Sequence, residues 1–334
     1  MSLNKNSMVN PKAYLAENLF EKDIKKVPTR NGYGEGLVSA GEENEQVVVL
    51  CADLTESTRS EAFQKKFPER FIEVGVAEQN MASLAAGMAL VGKIPFISSY
   101  AAFSPGRNNE QIRTTIAINN ANVKIAGAHA GVSVGPDGAT HQALEDIALM
   151  RVIPRMKVIV PCDAIEAKKA TIASAQIEGP VYLRFARAGT PQFTTEKTPF
   201  QVGKAEVFQE GKDVTIVACG PLVYEAMIAV QQLEKEGISV EVINNHTIKP
   251  LDQNTILESV QKTKALVTVE EHQVAGGMGS AVAEMLVQRF PVPVEMVGIK
   301  DRFGESGEPD ELWDAFGLSH PHIIEAVQRV LKRK

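Results

Sequence analysis

The alternation of short apolar runs with helix-like segments is the feature that most constrains the fold. Runs typical of buried strands, such as QVVVLCADL, IPFISSY and NVKIAGAHAG, alternate with segments of helical period such as MASLAAGMALVG and DAIEAKKATIASAQ. Strands that are apolar on both faces and separated by helices pair in parallel, because each connection crosses back over the sheet. The sequence therefore predicts a mainly parallel sheet with helices on both faces.

A second series of the same kind follows a segment without periodicity. Residues 188–204, AGTPQFTTEKTPFQVGK, are rich in Thr and Pro and predict a connecting segment. The alternation restarts with DVTIVACG and continues to MGSAVAEMLVQRF, and 334 residues suffice for two domains. We predict two three-layer α/β/α domains, the second smaller than the first. The predicted division is an N-terminal arm with one helix over AYLAENLF (1–27), a first domain (28–190), a linker (191–204) and a second domain (205–334).

Charge and composition disfavour several classes of function. The net charge of −6 disfavours nucleic-acid and membrane-surface binding, which both favour a basic patch. We expect neither a membrane span nor a signal peptide, because no apolar run has the required length. Cys51, Cys162 and Cys219 lie far apart, which predicts reduced core residues in a cytoplasmic protein.

Ligands of open parallel sheets bind beyond the carboxyl ends of the strands, so the segments there are the candidates for chemistry. These segments are ADLTES, GVAEQN, SSYAAFSPG, AHAGVSVGPDGATHQ and RFARAGTP. They hold both histidines of the first domain, His129 and His141.

Glu78 stands where the strand FIEVGV gives way to the helix MASLAAGMAL. One interpretation is a carboxylate that stabilises the start of a helix. Its small, apolar flanks also predict burial, and a buried carboxyl group can hold or share a proton near neutral pH. Such a group suits hydrogen bonding to a protonatable ring nitrogen of a cofactor.

Two further segments carry candidate ligand-binding side chains. Tyr100 and Phe103 follow a strand, where they are either core aromatics or a surface on which a flat heterocycle stacks. The glycine-rich loop, residues 131–142, brings Asp137 and His141 together before a helix predicted to start near Gln142. Turn formation and capping are the simpler interpretation, but His, Asp and flexible backbone together also suit a hydroxyl-bearing substrate.

Two further segments are basic or glycine-rich. Arg187 ends its strand either as a solvated charge or as a bidentate phosphate ligand, and Arg184 in the same strand is expected to point to the same face. VAGGMGS (274–280) resembles a phosphate-binding turn at a helix start, but the neighbouring VEEH would repel an anion. We interpret it as structural. Walker, GxGxxG and HExxH motifs do not occur in the chain.

Taken in series, PTRNGYG, ADLTES, VAEQNM, SSYAAF, GVSVGPDGATHQALED and YLRFAR resemble the C-terminal half of transketolase, from about residue 28 onward. The resemblance implies a pyrimidine-binding domain of the thiamine diphosphate type, followed by a transketolase C-terminal domain. It also implies that the buried acid Glu78 hydrogen-bonds N1′ of the cofactor's aminopyrimidine ring and so activates the cofactor.

The resemblance assigns roles to the other candidates. Tyr100 and Phe103 match aromatics beside the pyrimidine ring, while Leu54, next to Asp53, matches an apolar contact to the cofactor. Asp137 matches the aspartate that binds the donor's C2 hydroxyl, and His141 a histidine at the reacting carbon. A sugar-phosphate cluster is implied at Arg30, Ser57, His129 and Arg187. The segment SPGRNNEQ departs from many relatives, which have a further ring residue there.

The chain does not contain the Gly-Asp-Gly diphosphate motif of full-length transketolases. Its single Asp-Gly pair, Asp137–Gly138, belongs to the glycine-rich loop. The resemblance therefore implies one subunit of a split enzyme, in an α2β2 assembly whose N-terminal subunit holds most of the Mg²⁺ and diphosphate site. The expected reaction is transfer of a two-carbon ketol unit between sugar phosphates, as in the pentose phosphate pathway.

The sequence is also compatible with other functions. A deoxyxylulose-phosphate synthase or the β subunit of a 2-oxoacid dehydrogenase would share the cofactor and its glutamate. A non-catalytic scaffold homologue would keep only the fold. The identity of the donor and acceptor sugars stays open as well.

Overall fold

The protein is an α/β structure with two large sheets and a small ribbon, described here by a computed structural model of residues 9–334. Its strands are β1 (Lys26–Pro28), β2 (Val47–Cys51), β3 (Phe71–Glu73), β4 (Ile94–Ser99), β5 (Lys124–Ala128), β6 (Lys157–Ile159), β7 (Val181–Phe185), β8 (Gly189–Pro191), β9 (Glu206–Gln209), β10 (Val214–Ala218), β11 (Val240–Asn244), β12 (Thr247–Lys249), β13 (Leu266–Gln273) and β14 (Val294–Ile299).

Helices alternate with these strands along the chain. They are α1 (Thr29–Glu43), α2 (Glu61–Lys66), α3 (Glu78–Leu90), α4 (Asn109–Gln111, continued by the π-helical Ile112–Ala117), α5 (Asp146–Arg151), α6 (Ala164–Ala175), α7 (Leu222–Lys235), α8 (Gln253–Thr263), α9 (Met278–Arg289), α10 (Pro309–Ala315) and α11 (His320–Leu331).

The first sheet has seven strands in the order β12-β6-β7-β5-β4-β2-β3, all parallel except β12. Its two faces follow from the two-residue side-chain period. Val47 and Val49 pack toward α1 and α6, whereas Val48 and Leu50 join the core on the opposite face. Both sets are buried, which explains the nearly continuous apolar strands.

The second sheet has five strands in the order β14-β13-β10-β11-β9, and only β9 is antiparallel. Helices cover both of its faces, and one core cluster combines side chains from both large sheets. The predicted α/β class with mainly parallel sheets is confirmed.

Strand β12 is an unexpected element of the first sheet. It follows β11 of the second sheet in sequence but pairs antiparallel with β6, where Thr247 aligns with Ile159. Lys249 strengthens this contact because its Nζ donates to Arg151 O at 2.9 Å and to Ile153 O at 2.6 Å. The second half of the chain thus closes one edge of the first sheet.

Three local predictions differ from the structure. The helix expected from Gln142 begins at Asp146, since residues 138–145 are not helical. The helix expected over AYLAENLF is absent from the described part of the arm, which contains a single 3-10 turn at Pro11–Ala13; residues 1–8 of the predicted arm lie outside the described residues. Within the aperiodic segment, β8 forms a two-stranded ribbon with β1.

Across residues 9–334, none of the helices is both long enough and apolar enough to cross a membrane.

Candidate active site

The candidate residues meet at the carboxyl edge of the first sheet. The loops after β2, β4, β5 and β7 and the starts of α1 and α3 supply them. Neighbouring parallel strands end at the same edge, so residues far apart in sequence come into contact there.

Glu78 is the first residue of α3, and only 2% of its surface is exposed. Its Oε2 accepts a hydrogen bond from Arg107 Nη1 at 2.6 Å, and its backbone carbonyl accepts one from Asn108 Nδ2 at 3.1 Å. The carboxylate is therefore buried but has an opposite charge beside it.

Tyr100 and Phe103 form a stacked pair with ring centroids 6.1 Å apart and planes 9° apart. A ring sandwiched between two others needs about 7 Å, so this pair forms one aromatic surface rather than two walls. His141 meets both rings edge-on, at 5.7 Å from Tyr100 and 5.3 Å from Phe103. The guanidinium of Arg107 lies 4.8 Å from the centroid of Phe103, so one cation contacts both the acid and the aromatic surface.

A basic cluster begins on the other side of Tyr100. The Tyr100 hydroxyl lies 3.0 Å from Ser57 Oγ, and its ring packs 4.5 Å from that of His129. Arg30 Nη1 donates to Ser57 O at 2.8 Å and lies 3.3 Å from His129 Nε2. Three of the predicted sugar-phosphate residues are thus in mutual contact.

The electrostatics of this cluster favour an anion. Burial and then the neighbouring guanidinium groups of Arg30 and Arg187 lower the pKa of His129 to about 3, so its imidazole is neutral near pH 7. Burial, Arg59 and Arg187 also lower the pKa of Arg30. Three arginines that disfavour one another's charge would be stabilised by a bound anion.

Unpaired polar atoms point to the same conclusion. Within the described part of the chain, the buried atoms Arg30 Nε and His129 Nδ1 have no hydrogen-bond partner. An open cleft of about 380 Å³ adjoins Arg30. It is lined by Arg30, Asp53, Leu54, Thr55, Glu56, Ser57 and Arg59.

Asp137 and Arg187 join the cluster from the loops after β5 and β7. Arg187 Nη1 lies 3.1 Å from Asp137 Oδ2 and donates to Val134 O at 3.1 Å. His141 Nδ1 lies 2.9 Å from Thr140 Oγ1. The glycine-rich loop therefore adds a carboxylate beside Arg187 and an imidazole against the aromatic pair.

Asp53 and Leu54 lie at the rim of the cleft. Asp53 has a left-handed backbone (φ 57°), and its N–H donates to Glu73 Oε1 at 2.7 Å. Thr55 Oγ1 donates to the other Glu73 oxygen at 3.0 Å. Glu73, which the sequence analysis did not select, shapes this turn.

Arg107 and Arg59 were also missed. Arg107 belongs to the segment SPGRNNEQ, whose glycine and charge next to the aromatic motif were the available signal. Arg59 lines the cleft and donates from Nε to Asn31 Oδ1 at 3.0 Å. Its sequence context, in the polar run TESTRS, gives no sign that it faces Arg30.

Arg184 does not lie in the site, contrary to expectation. It is 4% exposed, its Nε donates to Asp146 Oδ2 at 2.8 Å, and its Nη2 donates to Glu271 O at 2.8 Å. Strand β7 ends at Phe185, so the two-residue period does not continue from Arg184 to Arg187.

The turn VAGGMGS is occupied by a side chain of the chain itself. Glu270 accepts the N–H groups of Met278 at 2.6 Å and Gly279 at 2.8 Å, which fills the anion position at the start of α9. The structural interpretation of this turn therefore agrees with the geometry. Over residues 9–334, His, Cys, Asp and Glu side chains form no group suited to hold a metal ion.

Comparison with known proteins identifies the two halves of the chain. Residues 25–192 match the family model for the transketolase pyrimidine-binding domain, and residues 203–323 match that for the transketolase C-terminal domain. The chain is 44% identical over 309 residues to a Methanocaldococcus jannaschii protein provisionally named a transketolase C-terminal section, covering 91% of this chain and 96% of that protein.

Two further relatives differ in length. The chain is 40% identical to the 6-deoxy-6-sulfo-D-fructose transketolase subunit SqwH of Clostridium sp., covering 94% of this chain and 98% of the relative. Human transketolase is 38% identical over 92% of this chain, which spans about half (50%) of that protein's length.

A solved structure described as a split gene transketolase, inactive β4 tetramer, superposes with a TM-score of 0.85 at 46% identity. It covers 92% of this chain and 99% of its own.

Proposed function

Because the chain belongs to the transketolase family, we propose that it is the C-terminal subunit of a split transketolase, which needs an N-terminal subunit for activity. The reaction is transfer of a two-carbon ketol unit between sugar phosphates. The division into an arm, a pyrimidine-binding domain (28–190), a linker and a C-terminal domain (205–334) is part of this proposal.

One observation carries the proposal. A buried acid, an aromatic pair and two arginines (Arg107 and Arg30) form a continuous set of contacts along one sheet edge, from Glu78 through the aromatic rings to Ser57 and Arg30. A flat ring with a protonatable nitrogen suits one end, and a phosphate suits the other. Ketol transfer needs both in one site, whereas a scaffold homologue has no use for a buried acid beside a cleft.

The residues fit thiamine diphosphate at its aminopyrimidine end. Glu78 offers a buried carboxylate and Phe103 an aromatic face, both now in contact with the planar guanidinium of Arg107. When bound, the cofactor supplies a carbon nucleophile and an electron sink for the ketol unit. Glu78 would hold or share the proton at the ring nitrogen, and Leu54 would give an apolar contact at the cleft.

The substrate end follows from the charges. Arg30 and Arg187, together with Ser57 and neutral His129, would hold the sugar phosphate through charged and neutral hydrogen bonds. Asp137 would accept the donor's C2 hydroxyl. His141, which meets both aromatic rings, would move protons at the oxygen of the reacting carbon.

The binding groups of this chain and the description of a solved relative both support dependence on a partner subunit. A partner would supply most of the Mg²⁺ and diphosphate site, because this sequence does not contain the Gly-Asp-Gly motif that holds them in full-length transketolases. The solved relative is described as an inactive tetramer of β chains. We propose an α2β2 assembly in the cytoplasm, acting in carbohydrate metabolism of the pentose phosphate type.

Ketol transfer from xylulose 5-phosphate with thiamine diphosphate and Mg²⁺ tests the proposal. The assay compares this chain alone with the chain plus the subunit that copurifies with it. Activity restricted to the mixture is expected. Turnover by the isolated chain would contradict partner dependence, and pyruvate decarboxylation without ketol transfer would favour a 2-oxoacid dehydrogenase or a deoxyxylulose-phosphate synthase.

The SqwH relative gives a second candidate donor, since its name specifies a sulfonated sugar. Sulfonate and phosphate both present three oxygens, but a sulfonate carries one negative charge and a phosphate close to two. The neighbouring charges of Arg30, Arg59 and Arg187 favour the more highly charged phosphate. A lower KM for 6-deoxy-6-sulfofructose than for xylulose 5-phosphate in the mixture would reverse this preference.

A further inference from the structure

The glycine-rich loop is held from the second sheet as well as from the first. Both oxygens of Glu271, on β13, bind one loop residue: Ser133 N donates to Oε1 at 2.6 Å, and Ser133 Oγ donates to Oε2 at 3.1 Å. Gly131 has φ +89°, and a Cβ there would lie 2.4 Å from the Glu271 carboxyl carbon. Only glycine allows so close an approach.

The other end of the loop is also attached to the second half of the chain. Gln142 Nε2 donates to Val132 O at 3.0 Å within the loop and to Glu305 O at 2.8 Å, beyond β14. A Cβ on Gly138 would lie 2.6 Å from Ser306 Oγ. Asp137 thus lies between two attachments to the second half of the chain.

Glu271 is itself held rigidly. Its backbone carbonyl accepts from Arg184 Nη2 at 2.8 Å, and Arg184 is paired with the buried Asp146. Glu271 is 2% exposed, so its carboxylate has no water to replace a lost loop contact. Strand β7, which carries Arg184, leads directly to Arg187 at the site.

We propose that Glu271 is a positioning residue that ties the C-terminal domain to the donor-binding end of the active site. It holds Ser133 and with it the turn Val132–Asp137, whose backbone also accepts from Arg187 at Val134 O. The placement of Asp137 and Arg187 toward the donor therefore depends on a residue of the other domain. This inference rests on the proposed ketol transfer for its consequence, but the attachment itself does not.

Hydrogen exchange of the full chain alone tests the attachment. Glu271→Ala removes both carboxylate oxygens that bind Ser133, so the backbone amides within residues 133–138 (Pro136 has none) should exchange about tenfold faster. Glu271→Gln retains an oxygen for Ser133 N–H and should stay near the wild-type rate. Glu270→Ala is the matched control, because its contacts are with α9 and it should speed exchange there instead.

Unchanged exchange of amides 133–138 in a folded Glu271→Ala chain would overturn the proposal. If that variant does not fold, Ser133→Ala replaces it, since it removes only the hydroxyl contact. It should speed loop exchange by about threefold, and an unchanged rate would again overturn the proposal.

Steady-state kinetics of the reconstituted enzyme test the consequence. Glu271→Ala should raise the KM for the ketose phosphate donor by about tenfold, since a small misplacement of a binding group is costly. The KM for the aldose phosphate acceptor should rise less, because the acceptor uses Arg187 but not the carboxylate of Asp137. Glu271→Gln should recover most of the loss, and Glu270→Ala should leave the donor KM unchanged.

An equal fall in activity with all substrates would mean a purely structural role and would overturn the positioning role. Absence of ketol transfer in the wild-type mixture would refute the proposed function, while exchange would still decide the attachment.

Discussion

Among single residues, Glu78 and Arg107 form the ion pair at the aromatic end of the site. The acid is almost fully buried, whereas the side chain of Arg107 is 47% exposed. A buried carboxylate needs a partner, and a half-exposed guanidinium can supply one and still move away. The pair therefore stabilises the free subunit without closing the site permanently.

Replacing Glu78 tests its proposed role in catalysis. Glu78→Gln should lower kcat of the reconstituted enzyme by at least about a hundredfold, because the amide cannot exchange a proton with the ring nitrogen. The far-ultraviolet circular dichroism and the complex with the partner should be unchanged. The exposed Glu110→Gln serves as the control. Near wild-type turnover of the Glu78 variant would favour a non-catalytic scaffold function for this chain.

Replacing Arg107 tests the ion pair. Arg107→Ala leaves a buried carboxylate without a counter-charge, and we expect a loss of about 1–2 kcal/mol in the free energy of unfolding, moderated by solvent at the exposed guanidinium. Urea denaturation measures it, with the exposed Arg113→Ala as control. Adding Glu78→Gln should recover most of the loss, and simple additivity of the two changes would contradict the pairing.

The sequence identified the candidate residues by motif, but it did not predict their contacts. Arg184 and Arg187 differ by three positions, yet one binds Asp146 in the interior and the other Asp137 at the site. Those partners come from distant segments, so spacing within the strand carries no information about them. Arg107 was missed because its partner lies 29 residues away.

At the scale of elements, helix α6 shows how a helix start joins the two halves. Its N-cap Asp163 accepts from Glu166 N at 3.0 Å. Glu166 then accepts from Cys162 N at 2.6 Å and from Asn244 Nδ2, on β11, at 2.7 Å. Burial raises the pKa of Glu166 to about 7.

This raised pKa predicts a pH-dependent stability. The reference pKa of Glu is 4.5, so between about pH 4.5 and pH 7 the folded protein holds this proton more tightly than the unfolded chain does. The contribution is complete below pH 4.5 and is lost as the pH rises through 7, a change of at most about 3 kcal/mol.

Urea denaturation at pH 5 and pH 8 measures this effect. The free energy of unfolding of the wild type, relative to Glu166→Gln, should be larger at pH 5 than at pH 8, with the exposed Glu69→Gln as control. An identical pH dependence in wild type and Glu166→Gln would contradict the expectation.

The long periodic elements could be predicted from the sequence, whereas the short elements could not. Strand β2 and helix α3 are marked by the apolar residues of their own segments, and helix α6 also has an N-cap aspartate. Strand β12 has three residues and a partner 88 positions earlier (247 and 159), so only tertiary pairing defines it. The helix after the glycine-rich loop starts late because Gln142 binds backbone carbonyls of the loop and of residue 305.

For the whole molecule, the pairing of β12 with β6 makes the two halves interdependent. A fragment of residues 1–204 would lack β12 and expose the edge of β6, with its apolar neighbours. It should aggregate or unfold at lower temperature than the full chain, as measured by light scattering and thermal denaturation. Co-expression with residues 205–334 should restore solubility, whereas a stable, monomeric fragment would contradict the interdependence.

The same strand has a consequence for synthesis. Strands β2 to β7 leave the ribosome before the edge of their sheet can be completed, because β12 lies beyond the first two parallel strands of the second sheet. At about 5–20 residues per second, the nascent chain carries an unpaired edge for several seconds. The first domain therefore cannot finish folding before much of the second exists, which makes this interval the time when a nascent chain is most exposed to association with others.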